Sequence, residues 1–227
     1  MSSPLSDDTR YVKLLLLLMK GGIYVCKKHT HKILISNKTS IDVFLSSHRN
    51  KIQNDFRKKI INKRQREMLC PDLGQTIDVN CWDISSLAYV LLNLTDGELK
   101  GNDKIAIGSI RDMRNDLAHS PDSSLPETDF LGKWSHLIKV LNQLTRGLTS
   151  EEELYIDDLI DYISKILNLD KATTELKQFE NSDDFVKDVF ANKFRSQQEQ
   201  LDDLSQRVAE LEKRQHRTES EQLGKDS

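Results

Sequence analysis

Apolar residues recur along most of this chain at spacings of three and four, the pattern of helices that each bury one face. The stretch Ile110–Leu117 shows it well. Ile110, Met113 and Leu117 fall at i, i+3 and i+7, while Arg111, Arg114 and Asn115 lie off that stripe. Ser120 precedes Pro121 and is pushed out of the α region, so the helix is predicted to stop near His119. Upstream, Asp83 caps a predicted helix to Leu94 with Ile84, Leu87, Leu91 and Leu94 on its buried face. Downstream, Phe130, Trp134, Leu137, Ile138, Leu141 and Leu144 form a core stripe that Gly147 ends. Ser150-Glu151-Glu152-Glu153 starts a further helix burying Leu154, Ile156, Leu159, Ile160, Ile163 and Leu167. Pro71–Asn80 and Pro121–Glu127 read as loops.

The first third has two helical stretches. Ser6-Asp7-Asp8 cap a helix running through Tyr11 and the unbroken apolar run Leu14–Met19 to about Lys20. Six apolar residues fall far short of the roughly 20 of a membrane span, so this run is expected to be a buried helix segment. Gly21-Gly22 either ends that helix or only weakens it. After Thr39-Ser40 comes one long amphipathic stretch with Ile41, Phe44, Leu45, Ile52, Phe56, Ile60 and Met68 on the apolar side. Its other face carries Arg49, Lys51, Arg57, Lys58, Lys59, Lys63, Arg64 and Arg66.

Beyond Asp170 the composition turns polar. From Phe194 a heptad emerges, with Phe194, Leu201 and Val208 at a and Gln197, Leu204 and Leu211 at d. Arg207 and Glu212 are placed to pair across a parallel dimer; the alternative is a single helix docking on the domain. The expected organisation is a helical domain over 5–170, a polar linker over 171–192, and a short coiled coil with tail over 193–223.

Scarce glycine (9) and proline (4) suit helices better than a many-turned sheet. A net charge of −3 conceals an uneven distribution: residues 1–66 carry fifteen basic and four acidic side chains. That basic third either meets phosphates or offsets the acidic remainder within the folded domain. The face around Arg57-Lys58-Lys59 and Lys63-Arg64 is the candidate RNA-backbone surface, where neutralised phosphates would supply affinity. Few aromatics accompany it, which argues against base-specific single-strand readout. Cys26, Cys70 and Cys81 form no CxxC pair and cannot all be paired within one chain, favouring reduced thiols in a cytoplasmic protein, with the nucleus as the alternative. The N-terminus lacks a basic n-region and cleavage site, so no signal peptide is expected. His29 and His31 lack partners at ligand spacing and stand among Lys27, Lys28 and Lys32; neither a metal nor a cofactor is expected. Phosphate-loop, HExxH and GxSxG motifs are absent.

Arg114, Asn115 and His119 are the candidate chemistry: a guanidinium, an amide and an imidazole at a helix end can hold and cleave a phosphodiester. Arg111 stands beside them as a candidate RNA contact. By itself the pair is a weak signal, since twelve arginines and six histidines give about one such spacing by chance. A histidine ending a helix also has a structural role, complementing the dipole when charged.

Four ordered pieces between Leu69 and Leu144 extend the picture. Leu69-Cys70-Pro71 closes a helix, Cys81-Trp82-Asp83-Ile84-Ser85-Ser86-Leu87 opens the next, and Ile110-Arg111-Asp112-Met113-Arg114-Asn115 leads to Ala118-His119. Phe130 and Trp134 follow, four apart. In this order they resemble the HEPN family, within it the branch of the DAZ-interacting zinc-finger protein. The resemblance implies an all-α, HEPN-type helical bundle. It also implies RNA as partner and metal-independent endoribonuclease chemistry through Arg114, Asn115 and His119; a homodimer is expected from the heptad seam and because two copies would bring both groups to one cleft. Because the family includes silent relatives, the alternative is a non-catalytic module for dimerisation, adaptor binding or nucleotide sensing, including in innate immunity. RING-type cysteine and histidine spacing is missing, so the namesake's ligase activity does not carry over.

Overall fold

Ser6 opens the first helix as the spacing requires: its hydroxyl accepts the Thr9 N–H at 3.2 Å, and Asp7 and Asp8 occupy the first turn, where carboxylates suit the dipole. The protein is described from a computed structural model, which covers residues 5–72, 76–95, 97–120, 124–180, 183–191 and 206–208. Among these the secondary structure is helical throughout, giving the expected all-α bundle.

Helix α1 (Asp7–Leu17) is buried on every side from Thr9 onward, so it is the central element rather than an amphipathic surface helix. Gly21-Gly22 does not end it. The chain takes one π-helical turn over Leu18–Gly22 and continues as α2 (Ile23–Ser36). Close approach explains the two glycines. A Cβ on Gly21 would stand 2.9 Å from Leu141 Cδ1, and one on Gly22 would stand 3.2 Å from Ile110 Cγ2. No helix among the described residues is long and apolar enough to cross a membrane.

The long amphipathic stretch expected after Ser40 is three helices: α3 (Ile41–Ser47), α4 (Arg49–Arg57) and α5 (Lys63–Leu69). Local side chains cut it. Ser47 Oγ and His48 Nδ1 both hydrogen-bond the Phe44 carbonyl, and the His48 N–H turns to Leu45 instead. Helix α4 closes in a Schellman motif, with Lys59 at φ 59° and the Ile60 N–H bonded to the Asp55 carbonyl. Asn62 then caps α5 in a reciprocal capping box with Gln65. Ile60, expected on the apolar face, is therefore exposed.

The remaining helices are α6 (Ile84–Asn93), α7 (Gly101–Ala118), α8 (Glu127–Thr145), α9 (Ser150–Ser164) and α10 (Leu169–Lys177). Asp83 caps α6, as its position predicts, while the cap of α9 is Thr149, one residue before the predicted start. Leu154 and Leu167 turn out exposed; Ile156, Leu159 and Ile163 carry that helix's buried face. Helix α1 packs against α8, α9 and α10, α2 against α6, and α7 lies against both α6 and α8.

The stretch 171–192, expected to be a polar linker, begins inside α10. Ala172 and Leu176 are buried on that helix, which packs on α1, and Asp183, Phe185 and Val186 are buried further on. The first compact unit accordingly runs to Val186 and a second begins at Lys187. Of that second unit, residues 187–191 and 206–208 are described, and both segments are helical. The rest of the expected coiled coil lies outside the described residues.

Candidate functional site

Helix α7 buries Ile110, Met113 and Leu117, the stripe read from its spacing, and Ala106 and Ile107 before it. It ends where Pro121 requires. The His119 N–H still reaches the Asn115 carbonyl at 3.1 Å, but at φ −95° and ψ 3° the residue has left the helix. A long-range contact holds this end: the buried Tyr11 phenol of α1 donates to the Leu117 carbonyl at 3.0 Å. That carbonyl is among those an α-helix leaves without an intrahelical partner, so Tyr11 acts as a side-chain cap.

Arg114 and His119 face different surroundings. His119 is exposed at the helix end, whereas the Arg114 side chain is only 18% exposed. Its Nη1 donates to Asn115 Oδ1 at 3.4 Å, its Nη2 lies 3.7 Å from Asp183 Oδ1, and its guanidinium carbon sits 4.9 Å from the Phe185 ring centre. Nε is buried with no hydrogen-bond partner among the described residues. Thus the Arg114 and Asn115 side chains come together, and no side-chain hydrogen bond among the described residues joins either to the His119 imidazole. Arg111 folds back on its neighbour, with Nε and Nη2 at 3.1 and 2.9 Å from Asp112 Oδ1.

Asp183 and Phe185 are the residues sequence reasoning passed over. Asp183 is 1% exposed; its Oδ1 accepts the Phe185 N–H at 2.9 Å, and its Oδ2 has no partner among the described residues. Burial pushes its pKa up, the nearby Asp83 carboxylate pushes the same way, and Arg114 pulls against both. Asp83 is itself buried, accepting the Ser86 N–H at 2.7 Å as the α6 cap. The only sequence signal was an apolar Phe185-Val186 beside two aspartates within a polar stretch.

The basic surface is divided. Arg64 turns toward Asp184 and pairs with it; burial opposes its charge, but the Asp184 hydrogen bond and charge outweigh that and raise its pKa. Arg57, Lys58 and Lys59 are exposed around the end of α4, and Lys63 is exposed with Glu67 at 3.8 Å. Much of the remaining basic third is engaged within the fold. Lys20 pairs with Glu175 at 2.5 Å and Lys28 with Glu152 at 2.6 Å. Lys13, Lys32 and Lys51 donate to the carbonyls of Ser164, Gly147 and Asn93, at or just past the ends of α9, α8 and α6, where cations suit helix dipoles. His29 is buried with Nε2 at 2.8 Å from the Leu144 carbonyl, a structural role. A separate cleft of about 390 Å³ opens between α7 and α8; its lining follows α7 from Asn102 to Ser109 and includes neither Arg114 nor His119.

Residues 38–162 match the family model described as DZIP3/hRUL138-like HEPN, which is more than half of the chain. The chain belongs to this HEPN family. The matched span of the HEPN domain holds Arg64, Asp83, Arg114, Asn115 and His119 and leaves out Tyr11 and Asp183–Phe185. Neither a curated protein nor a solved structure matches the chain.

Proposed function

We propose that this HEPN domain cleaves RNA without a metal, using Arg114 and His119 from two copies that meet at the α7 ends. The observation that carries the reading is the end of α7, where an exposed imidazole stands just past the last turn and Arg114-Asn115 on the turn before it. On an ideal helix five residues subtend about 140°, so one copy does not aim both groups at one phosphate; a two-fold partner supplies the second set. In the reaction the 2′-hydroxyl oxygen attacks phosphorus while one His119 takes its proton. The bond from phosphorus to the 5′ oxygen breaks, and the second His119 protonates that leaving oxygen, giving a 2′,3′-cyclic phosphate and a 5′-hydroxyl. Arg114 holds the charge gathering on the non-bridging oxygens, and Asn115 orients the guanidinium it already touches. Three free cysteines fit action in the cytoplasm or nucleus.

A second reading, a silent HEPN module for self-association or adaptor binding, is favoured by the engagement of Arg114 with Asp183 and Phe185. The deciding experiment compares wild type, His119→Ala and Arg114→Ala on single-stranded RNA in EDTA. Loss of a general acid or base costs about 10²–10⁴-fold. Equal residual cleavage in all three, or none by the folded wild type across many RNAs, hands the case to the silent module.

A further inference from the structure

Arg64 on α5 and Arg114 on α7 are far apart in sequence, yet the consecutive residues Asp183 and Asp184 reach one each. Phe185 adds its ring against the Arg114 guanidinium, a cation–π contact. The fit at Asp183 is poor for a permanent ion pair. Its nearest guanidinium nitrogen is 3.7 Å away, one carboxylate oxygen has no hydrogen-bond partner among the described residues, and Asp83 is a second buried carboxylate close by. On the other side, Arg114 Nε is also buried and unmatched. The Phe185 N–H serves Asp183 Oδ1 at 2.9 Å, but as an ion pair a buried carboxylate with one long charged contact is weakly compensated. A phosphate group has charge spread over oxygens that can meet a guanidinium through two donors, the arrangement Asp183 does not achieve.

We propose that Arg64 and Arg114 form one anion site for the phosphate backbone of RNA, and that Asp183-Asp184 is its internal stopper, held in place by Phe185. The stopper must leave before a phosphate reaches Arg114, so the domain as folded is latent. This rests on the reading above, which gives Arg114 the phosphate; it adds Arg64 as a second ligand and names what blocks both.

The test uses the full chain and phenylglyoxal, which modifies accessible guanidinium groups, with modification at Arg64 and Arg114 read by mass spectrometry. In the wild type both should react slowly. Asp183→Asn should speed modification at Arg114 at least tenfold, and a short single-stranded RNA should then protect it. RNA cleavage is measured on the same samples. Faster modification together with faster cleavage supports the stopper and the ribonuclease reading. Faster modification, protection by RNA and no cleavage in any variant leaves the stopper standing and removes the ribonuclease reading. Unchanged modification in a folded Asp183→Asn chain overturns the stopper whatever the cleavage. Should that variant fail to fold, Asp184→Asn, whose side chain is 64% exposed, decides through Arg64: a tenfold rise supports the proposal and no change overturns it. Protection by inorganic phosphate and not by RNA at equal phosphate concentration overturns the assignment to RNA.

Discussion

The Tyr11 phenol donates a 3.0 Å hydrogen bond to the Leu117 carbonyl and so ties the buried central helix to the last turn before His119. Tyr11→Phe keeps the ring and removes the bond, leaving the Leu117 carbonyl with the longer 3.3 Å bond from the Ser120 N–H. We expect a loss of about 0.5–1.5 kcal/mol in denaturant unfolding. Amide exchange should also rise selectively at Leu117–Ser120. An increase spread evenly over α7 would show that Tyr11 is a packing residue and nothing more.

Gly22 lets α7 approach the central helix. Alanine is intrinsically better in a helix by about 1 kcal/mol, but its methyl would stand 3.2 Å from Ile110 Cγ2. That methyl is fixed by β-branching and buried, so it yields poorly. Overpacking of this kind typically costs about 1–3 kcal/mol, and Gly22→Ala should therefore lower the melting temperature. A rise would mean that Ile110 has room to shift.

Thiol reactivity should separate the cysteines. Cys26 and Cys70 are buried, and burial raises the Cys26 pKa to about 12. Cys81 is exposed, with Sγ donating to Asp78 Oδ2 at 3.3 Å, and this hydrogen bond is the largest cause of its raised pKa. Iodoacetamide on the native chain should label Cys81 alone, and slowly near neutral pH. Asp78→Asn removes the carboxylate that favours the neutral thiol, so labelling should accelerate. Equal labelling of Cys26 would contradict its burial.

Asp183 gives a pH signature of defined sign. Its pKa is raised in the folded chain, so just above the ordinary carboxylate range near pH 4 the folded state holds more protons than the unfolded state. The contribution of Asp183 to stability is therefore highest when it is protonated and falls as pH rises through its folded pKa. The groups facing it are Asp83, which strengthens the effect, and Arg114, which opposes it, with Arg64 paired to Asp184 beside them. Glu152 and Glu175 act in the opposite direction: hydrogen bonds from Lys28 and Lys20 lower their pKa, so their contribution fades on acidification. Measured as wild type minus Asp183→Asn, the stability difference should decline from about pH 4 upward. A difference that grows with pH would reverse the assigned cause.

Local signals were enough for α1, α6, α7, α8 and α9. The i, i+3, i+7 stripe of Ile110, Met113 and Leu117, the caps at Ser6 and Asp83, and Pro121 after Ser120 act within one or two turns, so the helices and the end of α7 were legible in order. The motif around Arg114, Asn115 and His119 was legible for the same reason, as was the HEPN family. Periodicity alone merged α3, α4 and α5, because their breaks depend on side chains that bond the backbone at Phe44 and at Asn62. What tertiary structure decided is where the polar groups go. Tyr11 reaches Leu117, Lys13 reaches Ser164, and Asp183 reaches Arg114 across separations that no residue spacing encodes. The stretch after Asp170 looked like a linker because it is polar. It belongs to the first unit as far as Val186 because its few apolar residues and one carboxylate are buried there, and only folding could bring that carboxylate to a guanidinium largely removed from water.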